Sequence, residues 1–185
     1  MPQVHVPDHI DYPTGYVYSH YAPELGAAGS AFSMAVYRHS KLSLREMEGA
    51  RYRIALTNGC VMCQAHRPLE FDALTEAHGT PLERPMASRG EVPDEAFYAA
   101  VAGWRGSDTF SPRERLAIEF AERIGEAPRS FEGDAAFWAR LHALFTDAEI
   151  VDLTFSTASW VAMGRVTHVL ELDSHCAAPA AVAAE

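Results

Sequence analysis

At 185 residues the chain is long enough for a single domain with its own core, and its three cysteines are too few for a disulfide scaffold. Fifteen basic against twenty-five acidic residues give a formal net charge of −10, which argues against nucleic acid or an anionic membrane as partner. No apolar run reaches the length of a membrane span, and the first residues lack the basic-then-apolar order of a signal peptide, so the reading is a cytoplasmic protein.

Residues 1–24 carry Pro2, Pro7, Pro13 and Pro23 among aromatics and read as an extended arm, packed on the body or on a neighbouring subunit. Residues 25–173 read as the folded domain and 174–185, with Cys176, as a frayed tail. Leu25 to His39 suits a helix, although Gly26 and Gly29 weaken it. A clear helix starts at Ser43. Ser43-x-x-Glu46 is a capping box, and Met47, Ala50, Ile54 and Thr57 follow at helical spacing. Asn58-Gly59 stops that helix, since both residues tolerate a left-handed backbone, and Cys60 opens the next. Pro68 ends or kinks this second helix, or restarts it as a first-turn residue.

Residues 79–93 are loop by composition. Asp94 to Trp104 predicts a short helix with Phe97, Tyr98 and Val101 inward. Ser111-Pro112-Arg113-Glu114 starts another with a capping box and a favoured first-turn proline; Leu116, Ile118, Phe120 and Ile124 follow. Phe131 to Phe145 is read as helix, with Phe137, Trp138, Leu141 and Leu144 as core. Thr146-x-x-Glu149 caps a long helix to about Leu172 whose apolar content runs nearly all round, so it is central or lies at a subunit interface. LSLREMEGARYRIA and FSPRERLAIEFAER echo each other, either as a duplicated helical hairpin or as two similar caps. No strand alternation is present, so the fold class is all-α.

The chemistry concentrates between Leu42 and Gly79. In a reducing compartment a Cys-x-x-Cys pair such as Cys60 and Cys63 is redox-active or metal-binding. A cysteine at a helix start has its thiol pKa drawn toward neutrality, and two cysteines one turn apart are near enough for a disulfide. Which one attacks stays open: the N-terminal cysteine is expected to be the more exposed, the inner one nearer to a buried base. If Asn58-Gly59 reverses the chain, Glu48 comes to face His66 or Arg67 rather than Cys60, and a relay from carboxylate through imidazole to Cys63 is feasible. Simpler readings stand beside these. Glu48 is a solvated charge or an ion-pair partner of Arg51 or Arg45, His66 a surface residue, and His142 and His168 structural. Cys60, Cys63, His66 and His78 together offer the four ligands zinc would want.

The run L-S-x-R-E-x-E-x-A-x-x-R-x-A-x-x-N-G-C-x-x-C, from Leu42 to Cys63, resembles the carboxymuconolactone decarboxylase / AhpD-like superfamily. FSPRERLAIEFAE and FTDAEIVDLTFSTASW resemble its later helices. The resemblance implies an AhpD-like all-α bundle of helical hairpins, assembled as a homo-oligomer (trimer or hexamer). Glu48, Cys60 and Cys63 fall on the family's glutamate and cysteines, with His66 as the nearby histidine. These residues imply a peroxidase-type oxidoreductase: a thiol-dependent alkylhydroperoxidase or disulfide reductase that takes a hydroperoxide or disulfide substrate. It needs no bound cofactor or metal and is reset by an external dithiol or a lipoyl-type protein.

Two positions depart from the pattern: Met62 stands where the peroxidase type has a histidine, and Arg67 where it has the relay histidine. His66 is one position early, rotated about 100° on a continuous helix. Arg67 is expected opposite Glu48, holding it charged and weakening it as a proton shuttle while supporting a thiolate at Cys63. The alternatives are a decarboxylase-type lyase acting on a small carboxylic acid, and a non-catalytic metal or interaction module.

Overall fold

In the computed structural model, residues 1–173 are described, and the tail with Cys176 lies outside them. Among the described residues there are nine α-helices and no strand: α1 Pro13–Tyr21, α2 Pro23–His39, α3 Leu44–Asn58, α4 Val61–Ala65, α5 Pro68–Ala77, α6 Glu95–Val101, α7 Pro112–Glu126, α8 Ala135–Leu144 and α9 Asp147–Val169.

The helix starts follow the side chains that satisfy their free N–H groups. Ser43, Ser111 and Thr146 each accept from the backbone of the glutamate three residues on, and Glu46, Glu114 and Glu149 each reach back to the cap residue's N–H. Two of these glutamates do more. Arg45 Nε donates to Glu114 Oε1 at 2.7 Å, and Arg113 Nε donates to Glu46 Oε1 at 2.5 Å. The echoed segments therefore pack against each other with reciprocal ion pairs.

Helix α3 is the central element. Its Leu44, Met47, Ala50 and Ile54 are almost fully buried against Leu116, Ala117, Phe120 and Ala121 of α7 and Leu153 and Trp160 of α9. Phe97, Tyr98, Val101, Trp104, Phe110 and Ile118 form a second cluster on the α6 side. A buried large apolar side chain contributes about 1.5–3 kcal/mol, so these clusters, more than local propensity, hold the helices in place.

Several boundaries differ from the expectations. Part of the supposed extended arm is helix: Pro13 starts α1, which buries Pro13, Thr14 and Val17 and packs on α2. The 79–93 loop contains a 3-10 turn, Met86–Arg89, held by Asp72, whose carboxylate accepts the Met86 and Ala87 N–H groups at 2.8 and 3.0 Å. Helix α6 ends at Val101, and Trp104 begins a separate 3-10 turn. Helix α8 starts at Ala135 rather than Phe131, because Gly133 takes a left-handed backbone (φ 74) and Asp134 caps the new helix through the Phe137 N–H. Leu144 is 38% exposed and Trp138 only partly buried, so neither is deep core. Helix α9 packs on α2, α3 and α7, yet it leaves Val151, Phe155, Val166 and Val169 exposed, so it is central on one side and an open apolar face on the other.

Candidate active site

Gly59 sets the geometry. It closes α3 in the left-handed region (φ 70), which a glycine adopts without penalty, and turns the chain so that Cys60 can cap α4. The Cys60 Sγ accepts the Cys63 N–H at 3.2 Å, and the two sulfurs are joined in a disulfide. Cys60 is completely buried, whereas Cys63 is partly exposed. This reverses the expected order of exposure: the inner cysteine of the pair faces outward and the N-terminal one lies inside.

Beneath the pair sits a buried ion pair. Glu48 is fully buried, and Arg51, one turn on along α3, is 3% exposed. Arg51 donates from Nε to Glu48 Oε1 at 2.8 Å and from Nη2 to Oε2 at 2.7 Å, and the Tyr98 hydroxyl adds a third bond to Oε2 at 2.8 Å. The same guanidinium reaches the next layer, with Nη1 donating to the Cys63 carbonyl at 2.5 Å and Nη2 to the His66 carbonyl at 3.1 Å. Arg51 thus couples the carboxylate of α3 to the backbone of the cysteine turn. Burial alone would raise the Glu48 carboxyl, but the charge and hydrogen bonds of Arg51, helped by His66 and Tyr98, outweigh it and hold the group below the usual carboxylate range. The Tyr98 phenol is raised well above its ordinary value by burial and by the Glu48 charge.

His66 and Arg67 are not where a continuous helix would put them. Helix α4 stops at Ala65; His66 is its C-cap (ψ 135), and Arg67 is extended (φ −129, ψ 146), as a residue before proline must be. Pro68 then restarts the chain as α5. The His66 imidazole packs against Tyr37 and Phe71, with ring centroids 6.0 and 5.3 Å away, and its buried Nε2 makes no hydrogen bond. Burial, reinforced by the Arg51 and Arg67 charges and only partly opposed by Glu48, lowers its pKa to about 4, so the ring is neutral at pH 7. No hydrogen bond joins it to Glu48, whose oxygens are taken by Arg51 and Tyr98. The expected carboxylate–imidazole relay is therefore not formed.

Arg67 does not oppose Glu48 either. It pairs with Glu95 through bonds of 2.7 and 2.9 Å and lies over the Tyr98 ring, 4.0 Å from its centroid. The guanidinium that holds Glu48 is Arg51, the bland ion-pair partner of the sequence reading. Tyr98, which the sequence marks only as an inward residue of its helix, bonds Glu48, and Tyr37, which the sequence does not single out, packs against His66. Tyr37 is buried, which raises its phenol to about 12 against the opposing pull of Arg51. The buried Trp160 indole N–H makes no hydrogen bond to a described residue.

The zinc arrangement is not assembled: His78 caps α5, with its ring on the Leu74 carbonyl, and among the described residues no three His, Cys, Asp or Glu side chains are grouped so as to hold a metal ion.

The structure is similar to that of a protein of unknown function from Agrobacterium tumefaciens, provisionally assigned to antioxidant defence as AhpD. The two superpose with a TM-score of 0.60 at 20% sequence identity, over 83% of this chain and 92% of that one. The fold is AhpD-like. At that identity the likeness concerns the arrangement of helices. No family model matches the chain, and no curated protein matches it. Among the described residues no helix is long and apolar enough to cross a membrane.

Proposed function

We propose that the protein is a thiol-dependent oxidoreductase that cycles Cys60 and Cys63 between dithiol and disulfide while reducing a hydroperoxide or a disulfide. The observation that carries this reading is the Cys60–Cys63 disulfide itself, with Cys60 buried and Cys63 partly exposed, on an AhpD-like scaffold.

Cys63, as the accessible thiol, is the attacking group. Its thiolate takes the distal oxygen of a hydroperoxide, the O–O bond breaks, and the alkoxide leaves as the alcohol once protonated. Cys60 then attacks the resulting sulfenic sulfur and expels water, which closes the disulfide. An external dithiol, of the lipoyl or low-molecular-weight kind, returns two electrons and two protons. Glu48 stays ionised against Arg51, and its role is to fix Arg51, and through it the Cys63 carbonyl, rather than to carry protons.

One equivalent of cumene hydroperoxide added to the reduced protein should consume both thiols within minutes and leave a Cys60–Cys63 disulfide by intact mass and alkylation. Cys63→Ser should abolish this without unfolding the protein. Thiols that persist for hours would remove the peroxidase assignment. Turnover of a small carboxylic acid that survives loss of both cysteines would favour the lyase instead.

A further inference from the structure

The end of α9 returns to the cysteine turn. Past Val169 the chain reverses through Glu171, in a left-handed backbone (φ 52), buries Leu172 completely, and brings Asp173, 5% exposed, to the start of α4. There the Asp173 Oδ2 accepts the Val61 N–H at 3.0 Å and lies 3.4 Å from His168 Nδ1. The His168 ring packs on Gly59 so closely that a Cβ there would stand 3.3 Å from its Cε1 and 3.4 Å from its Nε2. The N-terminus secures the reversal: Gln3 N–H donates to the Leu170 carbonyl at 3.0 Å, and the terminal ammonium pairs with Glu171 at 3.0 Å.

The geometry points to Asp173 as a positioning residue that sets the redox poise of the Cys60–Cys63 couple, by placing a fixed negative charge on the first amide after Cys60. The inference rests on the proposed dithiol–disulfide reading. Covalent geometry keeps a cysteine sulfur within roughly 5 Å of the next residue's nitrogen, so the carboxylate stands no more than about 8 Å from the Cys60 Sγ. It also occupies an amide that would otherwise be free to stabilise a Cys60 thiolate. A unit charge at that distance, in a partly buried setting, shifts an ionisation by about one pKa unit.

The direction is fixed by charge. The disulfide has no thiolate to repel, whereas the reduced pair acquires one as Cys60 ionises, so at alkaline pH Asp173 favours the disulfide and makes the dithiol the stronger reductant. This is the opposite of an oxidant whose reduced form is stabilised. It also holds Cys60 as the protonated, buried partner and leaves Cys63 as the nucleophile.

The full-length protein is equilibrated with mixtures of reduced and oxidised dithiothreitol. In this exchange the protein disulfide takes two electrons and two protons from the reagent dithiol, which closes to its own cyclic disulfide. Asp173→Asn keeps an oxygen for the Val61 N–H and removes the charge. Measured at about pH 9.5, close to where the Cys60 thiol ionises, it should raise the equilibrium constant for reduction of the protein about three- to tenfold, where a tenfold change corresponds to about 30 mV, and near pH 7, where the thiol is protonated in both proteins, it should change little. Asp173→Glu should stay near the wild-type value. An Asp173→Asn couple that matches wild type at the alkaline pH, or shifts the other way, overturns the inference.

A second measurement needs no Asp173 variant. With Cys63 and Cys176 both replaced by serine, the Cys60 thiol should titrate, by alkylation rate against pH, above the ordinary value of about 8.5; a midpoint at or below that value is equally fatal. A wild-type protein that equilibrates with dithiothreitol but ignores hydroperoxide would sink the peroxidase reading and leave this one standing. One that never forms the Cys60–Cys63 disulfide would overturn both.

Discussion

The Arg51 guanidinium is the residue on which the site depends most. It is buried with Glu48, neutralises it, and supports two backbone carbonyls of the cysteine turn. Replacing Arg51 by Met leaves a buried carboxylate without its counter-charge, and this should cost about 3–5 kcal/mol in urea unfolding; pairing it with Glu48→Met should recover a large part of the loss. A single-variant cost under about 1 kcal/mol would show the pair to be better solvated than its burial implies. His66 makes a second, pH-dependent contribution. Its pKa is about 4 in the folded protein, through burial first and the Arg51 charge second, against an ordinary 6.5. As pH falls below about 6.5 the unfolded chain takes up a proton that the folded one refuses until near 4. The stability this group supplies is therefore complete above about 6.5 and lost between there and about 4, amounting to about 1–3 kcal/mol for a half-buried ring. Unfolding free energies measured between pH 4 and 8 should show a shallower slope in His66→Gln than in wild type. The cysteines were legible as a motif and Glu48 through the resemblance, whereas Arg51 was legible only as one of two ion-pair partners for Glu48, because its further bonds to the Cys63 and His66 carbonyls form across the α3–α4 turn.

At the scale of elements, the decisive feature is the α3–α4 turn. Gly59→Ala meets two obstacles at once: a left-handed backbone (φ 70) that an L-residue resists, and the His168 ring 3.3 Å from the new Cβ. A loss of about 1–2 kcal/mol in thermal or urea unfolding is expected, with slower closure of the Cys60–Cys63 disulfide measured by alkylation. A variant as stable as wild type would mean the turn has room to relax. The capping boxes and Asn58-Gly59 were readable because they are local: each is a side chain or backbone preference acting within four residues. Pro68 ends α4 and restarts the chain as the first residue of α5, as its place in the sequence indicated. Pro68 excludes helical geometry at Arg67, so the residue rotation inferred for His66 on an unbroken helix had no helix to act on.

For the molecule as a whole, α3 and α7 face each other through the reciprocal Arg45–Glu114 and Arg113–Glu46 pairs, and α9 packs across both. The outer face of α9 remains apolar, with Phe155 60% and Val151 54% exposed and Phe32 of α2 in edge contact with Phe155. Isolated apolar residues on a surface need no explanation, but a row of them along one helix is expected to be covered. The homo-oligomer that the sequence resemblance implies would use this face. Phe155→Asp should then lower the mass measured by light scattering after gel filtration, whereas a wild-type protein already monomeric at micromolar concentration would refute the assembly.

The all-α class, the caps, the α3–α4 stop and the cysteine pair followed from the sequence by itself, since each rests on period, local hydrogen bonding or the chemistry of one motif. Only the tertiary structure decided which cysteine lies inside, which arginine holds Glu48, and that Asp173 returns to the Val61 amide. The burial of Cys60 and the return of Asp173 depend on which distant segments the packing of α3 against α6, α7 and α9 brings together, and Arg51 rather than Arg45 holds Glu48 because that packing engages Arg45 with Glu114 and encloses Arg51 beside the carboxylate.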